Sequence, residues 1–312
     1  MDFQGAHVVV TGGAGFIGSH LSERLLADGA TVTVVDDLSN GREAWIPADA
    51  TFVEGDVRDE AVLERAIEGS VDAVFHLAAR KAVNDPRPTE QFEANTGMTL
   101  AVLERMAEVG VQHVGFTSSS TVYGEAPRPT PEDFPSAPIS MYGAAKVAEE
   151  SLISRFVHAH DMTAWIYRFA NIVGPRLQSG AVIVDFIDKL LADPEKLEIL
   201  GDGRQEKSYL SVEACVDGML HVAEHADGGR SVFNLGTRTT TSVVGIADLV
   251  SDVMDLAPEY TFTGGDRGWT GDVPKMRLSI EKLRALGWEP GESSDDAVRS
   301  AAVALLEQRT DG

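Results

Sequence analysis

One cysteine, Cys215, stands in a chain of 312 residues, which excludes an intramolecular disulfide and any cysteine-based zinc cluster. Its expected place is a small core position on a helix, and no metal site is expected. Long apolar runs are missing too: none approaches the roughly 20 residues that span a bilayer. The opening Met1-Asp-Phe-Gln-Gly leads into an apolar strand rather than a signal peptide, so a soluble, cytoplasmic protein is expected. Lysine is scarce. Only seven of the 26 basic residues are lysine, against 49 acidic ones, and the net charge is −23. That charge is spread along the chain and argues against nucleic acid or an anionic membrane as partner. It fits a halophilic, salt-rich cytoplasm, where the Debye length shrinks to roughly 3 Å at 1 M and self-repulsion is screened. Repeats and low-complexity segments are absent.

What is present begins with Ala6–Thr11, an apolar run suited to a buried parallel strand. It enters Gly12-Gly13-Ala14-Gly15-Phe16-Ile17-Gly18, followed by a helix pattern from Phe16 to about Ala27. Strand, glycine turn and helix in that order form a dinucleotide fingerprint. Glycine lets the backbone approach a pyrophosphate, and the helix start offers free N–H groups to its charge. A second strand, Thr31–Val35, ends at Asp36, 18 residues after Gly18. A carboxylate there accepts from ribose hydroxyls and repels a 2′-phosphate, so the expected cofactor is NAD rather than NADP. Further strands are expected at Thr51–Val53, Ala73–Leu77, Val111–Thr117 and Thr163–Phe169, with a helix opening at Asn95. Asp56 and Val57 stand where they would flank adenine. Ala78 and Ala79 are small enough to let a cofactor approach, and Lys81 offers a cation to its phosphates. His76 reads as a satisfied core histidine. Strict alternation of strand and helix implies α/β architecture, a doubly wound parallel sheet. From about Gly174 the elements become shorter, which points to a smaller C-terminal substrate lobe.

A serine cluster, Ser118 to Ser120, precedes Tyr142-x-x-x-Lys146 on a segment that reads as a helix. A spacing of four puts the tyrosine and lysine on one face. An ammonium there is expected to pull the phenol pKa down from roughly 10. With a hydroxyl from Ser119, the trio is equipped to move a proton on and off an alcohol.

Thr-Gly-Gly-Ala-Gly-Phe-Ile-Gly, Asp36, Ser119, Tyr142-x-x-x-Lys146, Asn171 and Gly271-Asp272-Val273-Pro274 together resemble the extended short-chain dehydrogenases. Within them the chain most resembles nucleotide-sugar epimerases of the UDP-glucose 4-epimerase type, archaeal ones especially, over essentially its whole length. The resemblance implies a Rossmann NAD-binding domain over residues 1–173 and a substrate-binding lobe over 174–312, with an interleaved boundary. It implies that Ser119, Tyr142 and Lys146 are catalytic. NAD would be held by Gly12, Gly15, Phe16, Ile17 and Gly18 at the glycine turn, and by Asp36, Asp37 and Asn40 after the second strand. Asp56, Val57, Leu77, Ala78, Ala79, Lys81, Asn95 and Phe169 would complete that site with Tyr142 and Lys146. A UDP-hexose would be held by Ser119, Ser120, Asn171, Val182, Lys207, Arg267 and Asp272, with Met276 walling the space beside the sugar's C2 substituent. The alternative for Met276 is simple packing. Two departures from the family pattern concern the diphosphate: Lys207 replaces an arginine and loses its bidentate fork, and Trp269 stands where an arginine is common, two residues after Arg267.

The implied reaction is redox epimerisation at C4 through a transient 4-keto sugar, with a homodimer formed by the Asn95 and Tyr142 helices. A 4,6-dehydratase would need an acid and a base where this chain has Ser120 and Thr121. A 4-reductase more often uses NADPH, which Asp36 disfavours, and a non-catalytic NAD-binding protein tends to lose the triad.

Overall fold

The computed structural model describes residues 1–81, 87–267 and 273–310. Its contacts divide the chain into two units. The first comprises Met1–Val122, Ser136–Arg168 and Met219–Phe233; the second comprises Tyr123–Pro135, Phe169–Gly218 and Asn234–Gly312.

The first unit is built on alternating strands and helices. In chain order these are β1 (His7–Thr11), α1 (Phe16–Ala27), β2 (Thr31–Asp36), β3 (Thr51–Glu54), α2 (Glu60–Ala66), β4 (Ala73–His76), α3 (Pro88–Val109), β5 (His113–Ser119), α4 (Met141–His160) and β6 (Thr163–Phe169). Strands β5, β4, β1, β2 and β3 pair in parallel in that spatial order. The inner strands are buried on both faces, Val8, Val9 and Val10 of β1 being completely covered, whereas β3 at the edge leaves Thr51 and Glu54 exposed. The chain moves outward from β1 to β2 and β3, then crosses to β4 on the other side of β1. Strand order therefore reverses between β1 and β4, where open α/β sheets bind their ligands. Helices α2, α3 and α4 close one apolar core with Val102, Leu103, Met106, Phe116 and Ile153.

One expectation needs correction here. The helix expected to open at Asn95 starts at Pro88, because proline suits the first helical position with its preset φ and missing N–H. Asn95 is therefore an interior residue of α3. The cysteine behaves as expected: Cys215 is fully buried, and burial pushes its thiol up.

After β6 the chain continues with β7 (Asn171–Val173), α5 (Val182–Ala192), β8 (Lys196–Ile199), β9 (Glu206–Lys207), β10 (Tyr209–Ser211) and α6 (Val212–His225), and the residues Met219–Phe233 belong to the first unit. Then follow β11 (Arg230–Leu235), β12 (Thr241–Ser242), α7 (Val243–Val253), β13 (Glu259–Phe262), β14 (Lys275–Met276), α8 (Glu281–Ala285) and α9 (Ser294–Thr310). Strand β11 completes the large sheet beside β6. The remaining strands form small ladders: β7 with β10, β8 with β13, and β9 between β12 and β14. Helices α5, α7 and α9 pack around Ile187, Ile246, Val250 and Val298.

Charge is buried where α4 meets the large sheet. The Glu150 carboxylate accepts from Arg168 Nη2 at 2.7 Å and Nε at 2.9 Å, from Arg230 Nη2 at 3.1 Å and from Ser118 Oγ at 2.7 Å. One side chain thus ties α4 to β5, β6 and β11. Removing one partner of such a cluster strands the others, so Glu150→Ala should cost about 3–5 kcal/mol. A urea-unfolding midpoint matching wild type would show that the cluster contributes nothing.

Candidate active site

The glycine turn after β1 is shaped by close approach. Gly12 has φ +69°, and a Cβ there would lie 2.7 Å from the Ala78 backbone nitrogen, where β4 ends. A Cβ on Gly18 would stand 2.2 Å from the Gly12 carbonyl oxygen. Neither position admits another residue. Gly15, at the start of α1, brings no side-chain cap, and the first turn carries no acid. Its N–H groups and helix dipole therefore suit an anion.

Asp36 closes the turn from the side. Its Oδ2 accepts from Ala14 N at 3.0 Å and its Oδ1 from Leu38 N at 2.9 Å. Burial raises its pKa above the usual carboxylate value, and these two bonds only partly counter that. A carboxylate has about four acceptor positions, so capacity remains for two ribose hydroxyls. Asp37, beside it, is exposed and accepts from Ser39 N and Oγ; Asn40 is exposed as well. Asp56 is gripped by Arg58, whose guanidinium holds its carboxyl below the usual range. Val57 is buried behind it. The Asn95 side-chain oxygen accepts from Arg80 N at 2.8 Å and its amide donates to Arg80 O at 3.1 Å, fixing the loop of Leu77, Ala78 and Ala79. Asn95 is fully buried, whereas Lys81 is exposed. Phe16 is buried and Ile17 half-buried at the start of α1. The turn, the uncapped helix start and the ribose acid fit a dinucleotide with an unmodified ribose. NAD should accordingly bind at least about tenfold more tightly than NADP, one like-charge contact being worth a pKa-unit equivalent or more. Equal affinities by titration would remove the role given to Asp36.

The side chains expected to handle protons come from β5 and α4. Ser119 ends β5, and its Oγ accepts from Thr121 N at 3.2 Å and Thr121 Oγ1 at 3.0 Å. That leaves the serine proton available to another acceptor. Helix α4 is capped by Ser140, whose Oγ accepts from Gly143 N at 3.1 Å. A Cβ on Gly143 would lie 2.6 Å from the Thr121 carbonyl oxygen, so glycine lets the first turn of α4 press on the serine-bearing turn. Tyr142 sits in that first turn and Lys146 one turn on. The lysine is 1% exposed, with Nζ 4.6 Å from the Phe116 ring centre and 5.7 Å from that of Tyr142.

The phenol differs from expectation in net direction. Burial raises the Tyr142 pKa, Lys146 pulls it down as anticipated, and Glu149 pushes it up. Desolvation outweighs the ammonium. His76 is the satisfied core histidine expected, buried between Thr11 and Thr99. Spacing from Lys146 could have drawn attention to Glu149, since i,i+3 positions share a helix face.

In the second unit Asn171 opens β7, and its side-chain amide donates to Ser208 O at 3.3 Å. Lys207 and Met276 are register partners on β9 and β14. Both side chains therefore stand on the same side of that ladder. Met276 is 9% exposed. Val182 begins α5, which has no side-chain cap. Arg267 is ion-paired with Glu125. Asp272 and Trp269 lie outside the described residues, as does most of the segment expected to carry the diphosphate contact. Phe169 is the last residue of β6 and is buried. Ser120 is half-buried next to Ser119.

Comparison with known proteins points the same way. A crystal structure of a UDP-galactose 4-epimerase is 40% identical, with a TM-score of 0.88 over 97% of this chain and 99% of that one. The UDP-glucose 4-epimerase of Thermotoga maritima, solved with UDP-glucose, is 31% identical with a TM-score of 0.89, over 98% of this chain and 100% of that one. The UDP-glucose 4-epimerase of Mycolicibacterium smegmatis is 34% identical over 90% of this chain and 93% of its own. Residues 8–236 match the NAD dependent epimerase/dehydratase family, and the chain belongs to that family.

Proposed function

We propose that this protein is an NAD-dependent nucleotide-sugar 4-epimerase that interconverts UDP-glucose and UDP-galactose. The observation that carries the reading is Lys146, an ammonium buried beneath the Tyr142 ring on a helix pressed against the Ser119 turn. The named relatives supply the substrate. Domain roles follow the same division: the sheet-bearing part holds the cofactor and the C-terminal part the nucleotide sugar.

Tyr142 takes the proton of the sugar 4-hydroxyl and later returns it. Ser119 donates its free proton to the reacting oxygen, which steadies charge as the bond changes order. Lys146 keeps a positive charge beside the phenol so that ionisation is tolerated in a buried place. NAD, when bound, supplies a two-electron acceptor that gives back what it receives. The glycine turn and Asp36 hold it, and Asn95 contributes by fixing the Arg80 loop. Inversion requires the hexose to present either face to one set of groups. The nucleotide must therefore be held firmly and the hexose loosely. Asn171, Val182, Lys207, Arg267 and Asp272 are assigned to the nucleotide and diphosphate. Ser120 and Thr121 bring neither the acid nor the base that elimination of water demands, which disfavours a 4,6-dehydratase. We assign a cytoplasmic location, a homodimer formed through α3 and α4, and adaptation to high salt on the acid-rich, lysine-poor composition. Among the described residues no helix is long and apolar enough to cross a membrane.

Purified protein supplied with UDP-glucose and no reductant should yield UDP-galactose. Tyr142→Phe should lower that rate by at least about a hundredfold, the usual contribution of a positioned general base, while NAD and UDP still bind. A variant that keeps most of the rate would take the base role from Tyr142.

Met276 is assigned to the wall beside the sugar's C2 substituent. An unbranched side chain can swing aside where an aromatic ring cannot, so measurable activity on UDP-N-acetylglucosamine is expected beside the preferred hexoses. Met276→Tyr should lower the acetylated-to-plain ratio of kcat/KM, and Met276→Ser should raise it. A ratio that stays flat across the three proteins would place Met276 away from the sugar.

A further inference from the structure

Glu149 is a fully buried carboxylate that the catalytic trio does not include. It lies three residues after Lys146 on α4, with Oε2 3.3 Å and Oε1 3.5 Å from the lysine Nζ. Oε1 also accepts from Thr99 Oγ1 of α3 at 2.7 Å. Oε2 has no hydrogen-bond partner among the described residues beyond its ion pair with the ammonium.

Behind Thr99 the bonds have one consistent direction. The threonine hydroxyl has a single proton and gives it to Glu149, so its oxygen must accept from His76 Nε2, 3.1 Å away. His76 is neutral, its pKa lowered to about 3 by burial and by Lys146. With its proton on Nε2, the ring accepts at Nδ1 from Thr11 Oγ1 at 2.7 Å. Three donors in series thus aim at one carboxylate, from the end of β1 through β4 and α3 to α4. Such an arrangement favours the charged carboxylate.

The groups facing Glu149 are therefore few. Lys146 and Tyr142 come from α4 and Thr99 from α3, with neutral His76 of β4 behind Thr99, while the Phe116 ring of β5 faces the ammonium. The neighbouring carboxylate, Glu150, is matched by Arg168 and Arg230. We infer that Glu149 is a positioning residue for proton transfer: it anchors the Lys146 ammonium beneath Tyr142 and offsets part of that ammonium's pull on the phenol proton. The inference rests on the proposed function only in taking Tyr142 as the base.

Two readouts test it. The first is the acid limb of kcat/KM against pH, which reports the base in the free enzyme. The second is the near-ultraviolet titration of the Tyr142 phenolate, taken as the difference from Tyr142→Phe without substrate. Glu149→Gln keeps the shape and an acceptor for Thr99 but removes the charge. Lys146 then acts unopposed, and both readouts should move to lower pH by about one unit. Glu149→Asp retains the charge and should stay near wild type, whereas a packing role would make it as disruptive as the amide. Lys146→Met should move both readouts the opposite way. Glu149→Ala, which admits water, carries the same expectation as Gln and serves if the amide does not fold. A phenolate titration that stays put or rises in the uncharged variants would overturn the inference. A wrong substrate assignment would abolish the first readout but leave the second intact, so the two failures are distinguishable.

Discussion

The buried ammonium of Lys146 is the constraint around which the first unit is arranged. An isolated charge in so dry a place costs several kcal/mol unless it is paired. Glu149 pairs it, Phe116 gives it a ring face, and Tyr142 lies over it on the same helix. The carboxylate then needs its own partner, which α3 supplies as Thr99. That demand continues through His76 to the end of β1, beside the glycine turn. One buried charge is thus linked to polar residues on three further elements, α3, β4 and β1.

Much of this was legible in the sequence wherever the signal is local. The Val-rich run of β1, the glycines after it and the acid ending β2 are neighbours in the chain, and their meaning follows from strand period and backbone sterics. Tyr142 and Lys146 are likewise related by helix geometry alone. The Glu149–Thr99 bond joins residues 50 positions apart, and no pattern within either helix announces it. Asn95 shows a subtler failure. It is expected to open a helix, yet the helix starts seven residues earlier at Pro88. Its side chain bonds the Arg80 backbone, a partner that no local pattern announces. The sign of the Tyr142 shift was missed because sequence reveals a nearby charge but not the degree of desolvation around it.

The two parts of the chain also differ in how readable they are. The parallel sheet repeats one rule, so each strand supports the assignment of the next. The C-terminal unit uses ladders of two to four residues, such as Glu206–Lys207 against Lys275–Met276, too short for periodicity to register. The run Glu206–Ser211 is likewise two short strands, β9 and β10, broken at Ser208. There the backbone N–H turns to the Met276 carbonyl, and the hydroxyl packs beside Thr237.

Asp36 carries a consequence for how such a protein can change. Its two oxygens hold Ala14 N and Leu38 N, so the carboxylate proposed to discriminate between cofactors also ties the glycine turn to the end of β2. A substitution made to welcome a 2′-phosphate would remove both ties at once and leave two buried or half-buried N–H groups without acceptors, at about 1–3 kcal/mol each. Drift toward the phosphorylated cofactor therefore cannot proceed through this residue alone. It requires a second change that re-anchors the turn first, which makes the preference an inherited commitment rather than an adjustable setting.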